Sequence, residues 1–266
     1  MYIDIRWIIV AISVGLAFGS LSILVATRRL HFLAGSLPHG ALLAILLGII
    51  AANILGIPVY PASILFIVIL ITIAWTLMEK GVSGDVVAAA FVSFCSSMAV
   101  ILGYMVLSLF PLKESLWAYI WGDLLLVDWS TTIMSTIIAI VVLAVTLATY
   151  IEHMCIAVDG DCVRLAGIRI GLYDLALLAV LAATSTALLR AAGFVLEHVL
   201  ILLPGTIAVN FAKSAVQALL YSLAISLVAS LAGLFLGLVL NQPPSGLIGL
   251  LLFTTYVLSL TAGRRK

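Results

Sequence analysis

Long apolar runs follow one another along almost the whole chain, and only short polar segments separate them. A helix needs about 20 consecutive apolar residues to cross a bilayer, and these runs approach or exceed that length. The pattern therefore predicts nine membrane-spanning helices. We place them at about residues 7–27, 32–56, 61–78, 86–110, 131–151, 171–190, 193–212, 215–240 and 246–262.

Composition supports the same interpretation. Of the 266 residues, 65% are hydrophobic and only 9% are charged, and the mean hydropathy is +1.37. Soluble globular domains carry about 25% charged residues, so this chain has too few to cover the surface of one. We expect an all-α, polytopic integral protein of the cell membrane, with residues 1–266 forming one domain. The net charge of +1 is uninformative about partners, and the sequence has no basic block that would indicate a nucleic-acid partner.

The positions of the lysine and arginine residues predict an orientation. Cytoplasmic loops of membrane proteins are enriched in these residues. With the N-terminus outside and the C-terminus inside, most of the 12 fall in cytoplasmic segments. These are Arg28, Arg29, Lys80, Arg164, Arg169, Lys213, Arg264, Arg265 and Lys266, whereas Arg6, Lys113 and Arg190 lie outside.

The longest well-defined cytoplasmic segment is then 152–170. Asp159 is a suitable N-cap for a short helix, and Gly167 can end that helix in the left-handed conformation. A simple connection between two spans needs only a few residues. We therefore interpret this segment as a docking element, and an ordinary capped loop is the alternative.

The segment resembles the coupling helix of permeases in the zinc, manganese and iron branch of the ATP-binding-cassette (ABC) importers. Their pattern is F-D-P-E-x-A-R-x-L-G. Asp159 and Gly167 keep its spacing and Arg164 matches its arginine, whereas Val158 and Val163 depart from it. Other stretches that resemble the family lie, in the family's order, at 28–41, 83–85, 119–125, 202–208 and 244–246.

The resemblance implies a permease that acts as a homodimer. An extracytoplasmic metal-binding protein would deliver a divalent metal ion as substrate, and Asp159, Arg164 and Gly167 would couple the permease to a separate ATPase subunit. The chain has no G-x-x-x-x-G-K-S/T phosphate loop, so ATP would bind to that partner. We expect a transport subunit rather than an enzyme, with no permanently bound cofactor.

His39 is the first candidate for the metal path. It aligns with the histidine of the family's G-D-A-L-S-H motif, in which an aspartate and a histidine four residues apart share one helix face. Here Gly35 replaces the aspartate and Pro38 replaces the serine. Ionisable residues inside a bilayer are costly and usually functional. The alternative is a histidine that packs against a neighbouring helix.

Glu197 and His198 are the second candidates. The family has small or apolar residues at these positions, whereas this chain has a carboxylate and an imidazole. Adjacent helical residues point about 100° apart, so the two need not face one cavity. Glu197 would supply the carboxylate that is missing at Gly35, or else lie at the membrane interface near the start of its span. His31 and His153 are expected to be solvated at the cytoplasmic face.

The sequence thus predicts a divalent-metal importer permease for zinc, manganese or iron. Two alternatives stay open. One is a related ABC permease for a larger solute such as a metal chelate. The other is an intramembrane enzyme, but a zinc protease would need a His-Glu-x-x-His motif, and the chain has only the pair Glu197-His198.

Overall fold

The computed structural model describes residues 4–110, 117–122 and 124–263. All regular secondary structure in these residues is helical. The helices are α1 (Ile5–Thr27), α2 (His31–Leu55), α3 (Val59–Glu79), α4 (Gly84–Leu109), α5 (Trp117–Trp121), α6 (Trp129–Val158), α7 (Gly160–Leu165), α8 (Ile170–Ala192), α9 (Phe194–Phe211), α10 (Ala215–Leu240) and α11 (Pro244–Gly263).

Nine of these helices, all except α5 and α7, are long and apolar enough to cross a membrane. The prediction of an all-α polytopic protein is therefore confirmed. The largest difference in bounds concerns α6, which continues to Val158 instead of ending near residue 151. No glycine or proline interrupts the chain before Gly160, so the helix extends into the segment that we expected to be a loop.

Acidic residues begin three of the helices. Asp4 caps α1, Asp128 caps α6 and Asp159 caps α7 through carboxylate oxygens that accept backbone N–H groups. Hydrogen bonds from the side chain and the backbone of Thr131 lower the pKa of Asp128 to about 2. Asp128 therefore stays ionised at neutral pH, and its negative charge stabilises the N-terminus of α6.

The long helices form two groups. In the first group, α1 packs against α6, α9 and α10, and α11 packs against α9 and α10. In the second group, α2 packs against α3, α4 and α8. The groups meet mainly where α2 lies beside α9 and where α6 lies beside α8. We call the α2–α9 contact the seam.

Small residues allow close approach inside the first group. A Cβ added at Gly205 of α9 would lie 2.2 Å from the carbonyl oxygen of Ser22 in α1. Gly233 and Gly237 of α10 likewise face Ile248 and Pro244 of α11 at distances that leave no room for a side chain. These contacts are typical of membrane helices that associate through their backbones.

Nine crossings, one for each candidate span of the described residues, would put the beginning of α1 and the end of α11 on opposite sides of the membrane. The connection at His31 then lies on the same side as α7. Which side is cytoplasmic stays a prediction. The prediction of orientation rests partly on four residues that lie outside the described ones, which are Lys113, Arg264, Arg265 and Lys266.

Candidate functional site

Two histidines meet at the seam. The ring centroids of His39 in α2 and His198 in α9 lie 5.4 Å apart, with the ring planes nearly perpendicular. The ring of Phe194 lies 4.8 Å from His39 and 4.6 Å from His198, edge to face. Both imidazoles are half-buried. The structure thus brings together two of the three predicted metal residues.

Hydrogen bonds orient both rings. The Nδ1 atom of His39 lies 2.8 Å from the hydroxyl of Ser96 in α4. The Nδ1 atom of His198 lies 2.7 Å from the carbonyl oxygen of Phe194. A carbonyl only accepts, so this nitrogen carries the proton and donates it. His198 makes a second hydrogen bond, to the backbone of Gly35.

Gly35 lies beside this pair, one helical turn before His39. His198 contacts the backbone of Gly35. A Cβ at Gly35 would meet only the Cδ1 atom of Leu202, at 3.6 Å, which is an ordinary contact. The imidazole of His198 therefore lies next to the position at which the resembling motif has its aspartate.

Glu197 faces a different helix. Its side chain is fully buried, and one carboxylate oxygen accepts a hydrogen bond of 2.5 Å from the hydroxyl of Ser185 in α8. The other oxygen has no hydrogen-bond partner. Glu197 is therefore enclosed by protein, and its depth in the membrane stays a prediction. Among the described residues, no group of three or more histidine, cysteine, aspartate or glutamate side chains could hold a metal ion.

The segment between α6 and α8 has the local form that the sequence predicted. The side chain of Asp159 accepts a 3.0 Å hydrogen bond from the backbone N–H of Cys162. Gly167 adopts φ +83°, a conformation that favours glycine and ends the helix. Val158 and Leu165 are almost fully exposed, at 87% and 89%. Arg164 is also exposed and lies 3.8 Å from Asp161.

A charged cluster joins the groups at the same end of the molecule. Arg28, which follows α1, forms an ion pair with Asp174 in α8. Its guanidinium also lies 3.3 Å from Nδ1 of His153 in α6, whose ring stacks edge to face on Tyr173. His153 is only 2% exposed, so the expectation of a solvated side chain was wrong.

His31 is not freely solvated either. It is half-buried at the first position of α2, and its Nε2 atom lies 3.3 Å from the hydroxyl of Thr206 in α9. With this contact, all four histidines of the chain lie where one helix group meets the other. Sequence reasoning missed this shared location, and it also missed Ser96, which gives no signal among the many hydroxyls of the spans.

Nine apolar helices and a polar seam between two helix groups are features of a membrane transport permease. The sequence model of the ABC 3 transport family matches residues 2–263, and the chain belongs to this family. It is therefore a transport component and not an enzyme.

Curated relatives cover most of the chain. It is 24% identical to the manganese import system permease protein ScaB of Streptococcus parasanguinis, over 88% of this chain and 81% of the relative. It is 26% identical to the high-affinity zinc uptake system membrane protein ZnuB of Buchnera aphidicola, over 86% of each chain.

Solved structures share the fold. A chain of PsaBC from Streptococcus pneumoniae, in complex with a Fab, matches 96% of this chain and 89% of its own length with a TM-score of 0.82 and 20% identity. A proposed metal-chelate type ABC transporter in an inward-facing conformation matches 97% of this chain and 85% of its own length, with a TM-score of 0.72 and 11% identity.

Proposed function

We propose that this chain is the membrane-spanning subunit of an ABC importer for a divalent metal ion, with manganese and zinc as the first candidates and iron as a third. The names of its relatives support metal as the substrate class. The observation that carries the proposal is the pair of half-buried imidazoles, His39 and His198, on facing helices of the seam.

The chemistry of this pair fits a cation in transit. Neutral imidazole suits zinc and iron, while manganese favours oxygen ligands such as water or carboxylate. Two imidazoles give a weak site unless water or backbone oxygens complete the coordination. A transport site has to release its ion, so weak binding is an advantage. In this proposal Glu197 becomes a further donor only if its carboxylate leaves Ser185.

Uptake by a reconstituted complex tests the role of the pair. Proteoliposomes would contain the permease, its ATPase and its binding protein, and ATP-dependent uptake of radioactive zinc and manganese would be measured. We expect His39→Ala and His198→Ala each to lower uptake by about tenfold, as for loss of a partner at a metal site. The amount of folded permease should stay the same. Normal uptake in both variants would contradict the proposal.

The runner-up substrate is a metal chelate, which the metal-chelate type structural neighbour favours. The same proteoliposomes distinguish the two. A permease for the bare ion takes up zinc or manganese without an added chelator, and a strong chelator in excess abolishes uptake. A chelate permease shows the opposite dependence.

The segment 152–170 would couple this permease to its ATPase. The exposed Val158, at the end of α6, and Leu165, at the end of α7, offer apolar surface to a partner. Asp159 and Gly167 fix the shape of the segment, and Arg164 contributes charge. Since α7 connects α6 of the first group to α8 of the second, moving α7 would displace one group against the other.

Arg164→Glu should weaken assembly with the ATPase or uncouple ATP hydrolysis from uptake. Coupled uptake at the normal rate would count against this role.

The partners and the orientation belong to the same proposal. We infer a homodimer with one ATPase subunit per copy and an extracytoplasmic binding protein, and an outer N-terminus. In a variant without the three native cysteines, cysteine at Pro61 or Gln242 should react with an impermeant thiol reagent added outside. Cysteine at Lys266 should react only after the membrane is opened. The reverse labelling pattern would overturn the orientation.

A further inference from the structure

Helices α2 and α9 run antiparallel along the seam in a regular register. His39 faces His198, Gly35 faces Leu202, and His31 faces Thr206. Each step is four residues in both helices, which is about 6 Å of helix rise. The seam thus has three levels, and about 12 Å of rise separates the two levels that carry imidazoles.

The middle level separates these two imidazole levels. Gly35 has no side chain, and Leu202 offers only methyl groups. This level therefore cannot hold a cation through side-chain donors. An ion that leaves His39 and His198 in the direction of α7 meets its next side-chain donors of the seam at His31 and Thr206.

Hydrogen bonds at this inner level leave one ring nitrogen available. The hydroxyl of Thr206 donates to the carbonyl oxygen of Leu202 at 2.6 Å. Its proton is therefore used, and the oxygen accepts from Nε2–H of His31 at 3.3 Å. The Nδ1 atom of neutral His31 then carries a lone pair, which is the form that binds a metal ion.

We propose that His31, whose ring is oriented by Thr206, forms a second, inner stop on the cation path. It receives a divalent metal ion from His39 and His198 through its Nδ1 atom and releases it at the α7 end of the seam. This inference rests on the proposed function. A single imidazole nitrogen makes a weaker site than the two imidazoles of the outer level, because it supplies one protein ligand instead of two. The order of strength favours movement towards release.

A purely structural role is the competing explanation. The first residue of α2 needs a packing partner, and a hydrogen bond between two helices provides one. That role predicts a change in stability and no change in metal binding. A test must therefore include a measurement on the metal itself.

Protection of an introduced thiol is such a measurement. The change His31→Cys, in a permease without the three native cysteines and assembled with its ATPase, is modified by a small thiol reagent. Zinc alone is the probe. We expect zinc to slow modification by about tenfold, since a thiolate bound to zinc is not free to react. The matched control is Thr76→Cys, a half-buried position near the end of α3 whose hydroxyl bonds within its own helix, to Ile73, where zinc should have no effect.

Transport separates the inner level from the outer one. Loss of a release site slows turnover, while capture at the outer level is unaffected. His31→Ala should therefore lower the maximal rate of zinc uptake about tenfold, at an unchanged half-saturating zinc concentration. Thr206→Val should have a smaller effect of the same kind. Thr72→Val is the matched control. The hydroxyl of Thr72 also donates to the carbonyl four residues earlier, at 2.7 Å, but the structure shows no hydrogen bond between it and a histidine.

The outcomes distinguish this inference from the proposed function. If His39→Ala lowers uptake as expected while His31→Ala transports zinc normally and zinc gives no protection at position 31, the inner stop is wrong and the function stands. If neither histidine affects uptake, both fail. Zinc protection together with a lower maximal rate in His31→Ala supports the inner stop.

Discussion

The interface between α1 and α10 and the seam between α2 and α9 both join long apolar helices, but different side chains build them. At the α1–α10 interface, Ser222 and Ser226 donate to the carbonyl oxygens of Gly19 and Gly15, at 2.6 and 2.8 Å. At the seam, imidazoles face each other or face a hydroxyl. The first interface pairs hydroxyls with backbone carbonyls, whereas the second places imidazole rings between the helices.

The difference indicates which contact stays fixed during transport. Glycine and serine bring two helix backbones so close that no space remains for water or an ion. Imidazoles hold the helices further apart and bind cations. We therefore expect the first group to move as one body, and the seam to open and close beside it.

The largest effect is expected from Gly205→Ala, at the contact between α9 and α1. The new Cβ would lie 2.2 Å from the Ser22 carbonyl oxygen, so the helices must separate. We expect destabilisation of about 3 kcal/mol, at the upper end for an overpacked core. Thermal unfolding in detergent would measure it. Gly35→Ala at the seam is the matched control and should unfold at the wild-type temperature or slightly above, because its Cβ has room and alanine favours a helix. Equal stability of the two variants would show that the first group is not packed more tightly than the seam.

A second, smaller effect is expected at Arg28. Its side chain is 8% exposed and pairs with Asp174, whose side chain is 27% exposed. Arg28→Met leaves the carboxylate without its cation, and we expect a loss of about 2 kcal/mol, less than for a fully buried pair. Adding Asp174→Asn should restore part of this loss, because it removes the uncompensated charge.

The measurements are thermal unfolding and ATP-dependent uptake in the same preparation. Arg29→Met is the control, since Arg29 is exposed. If Arg28→Met unfolds at the normal temperature, the ion pair does not hold the two groups together at the α7 end.

Much of this fold was predictable from sequence. Membrane spans depend on local runs of apolar residues, and the caps at Asp159 and Gly167 depend on local backbone preferences. Both are encoded within a few residues. The end of α6 was harder to predict, because Glu152 and His153 are polar and indicate the end of a span, yet neither residue stops a helix.

The seam was only partly predictable. His39 was found through a family resemblance, but its approach to His198 depends on the register of α2 against α9. That register is set by packing between residues far apart in sequence. The burial of His153 could not be predicted for the same reason, since it follows from its contacts with Arg28 and Tyr173. Glu197 was predicted beside the cation path, and only the structure gives its contact with Ser185.

Placing a carboxylate at Gly35 tests whether the seam selects the transported cation. Gly35→Asp places an oxygen donor one turn from His39 and next to His198, in a position where the structure has room for Cβ. Carboxylate oxygen suits manganese better than zinc, relative to imidazole nitrogen. We expect the ratio of manganese to zinc uptake to rise about tenfold, which corresponds to about 1.4 kcal/mol. Gly35→Asn has nearly the same shape without the charge and should leave the ratio unchanged. A ratio that rises equally in both variants would show that charge at the seam does not select the cation.

The smallest effect is expected from Ser226→Ala, because the carbonyl oxygen that Ser226 bonds keeps another hydrogen bond. The carbonyl of Gly15 lies within α1 and also accepts the hydrogen bond of its own helix, so the change removes one extra donor without leaving an unpaired group. Hydrogen bonds between membrane helices contribute about 0.6 kcal/mol on average, so the unfolding temperature should fall by about 2 °C. Ser93→Ala is the control, since Ser93 is exposed and bonds only within its own helix, to Ala89. Uptake should be normal in both variants. Lower uptake in Ser226→Ala, at a normal amount of folded protein, would mean that α1 and α10 also move during transport, and the first group would no longer be one body.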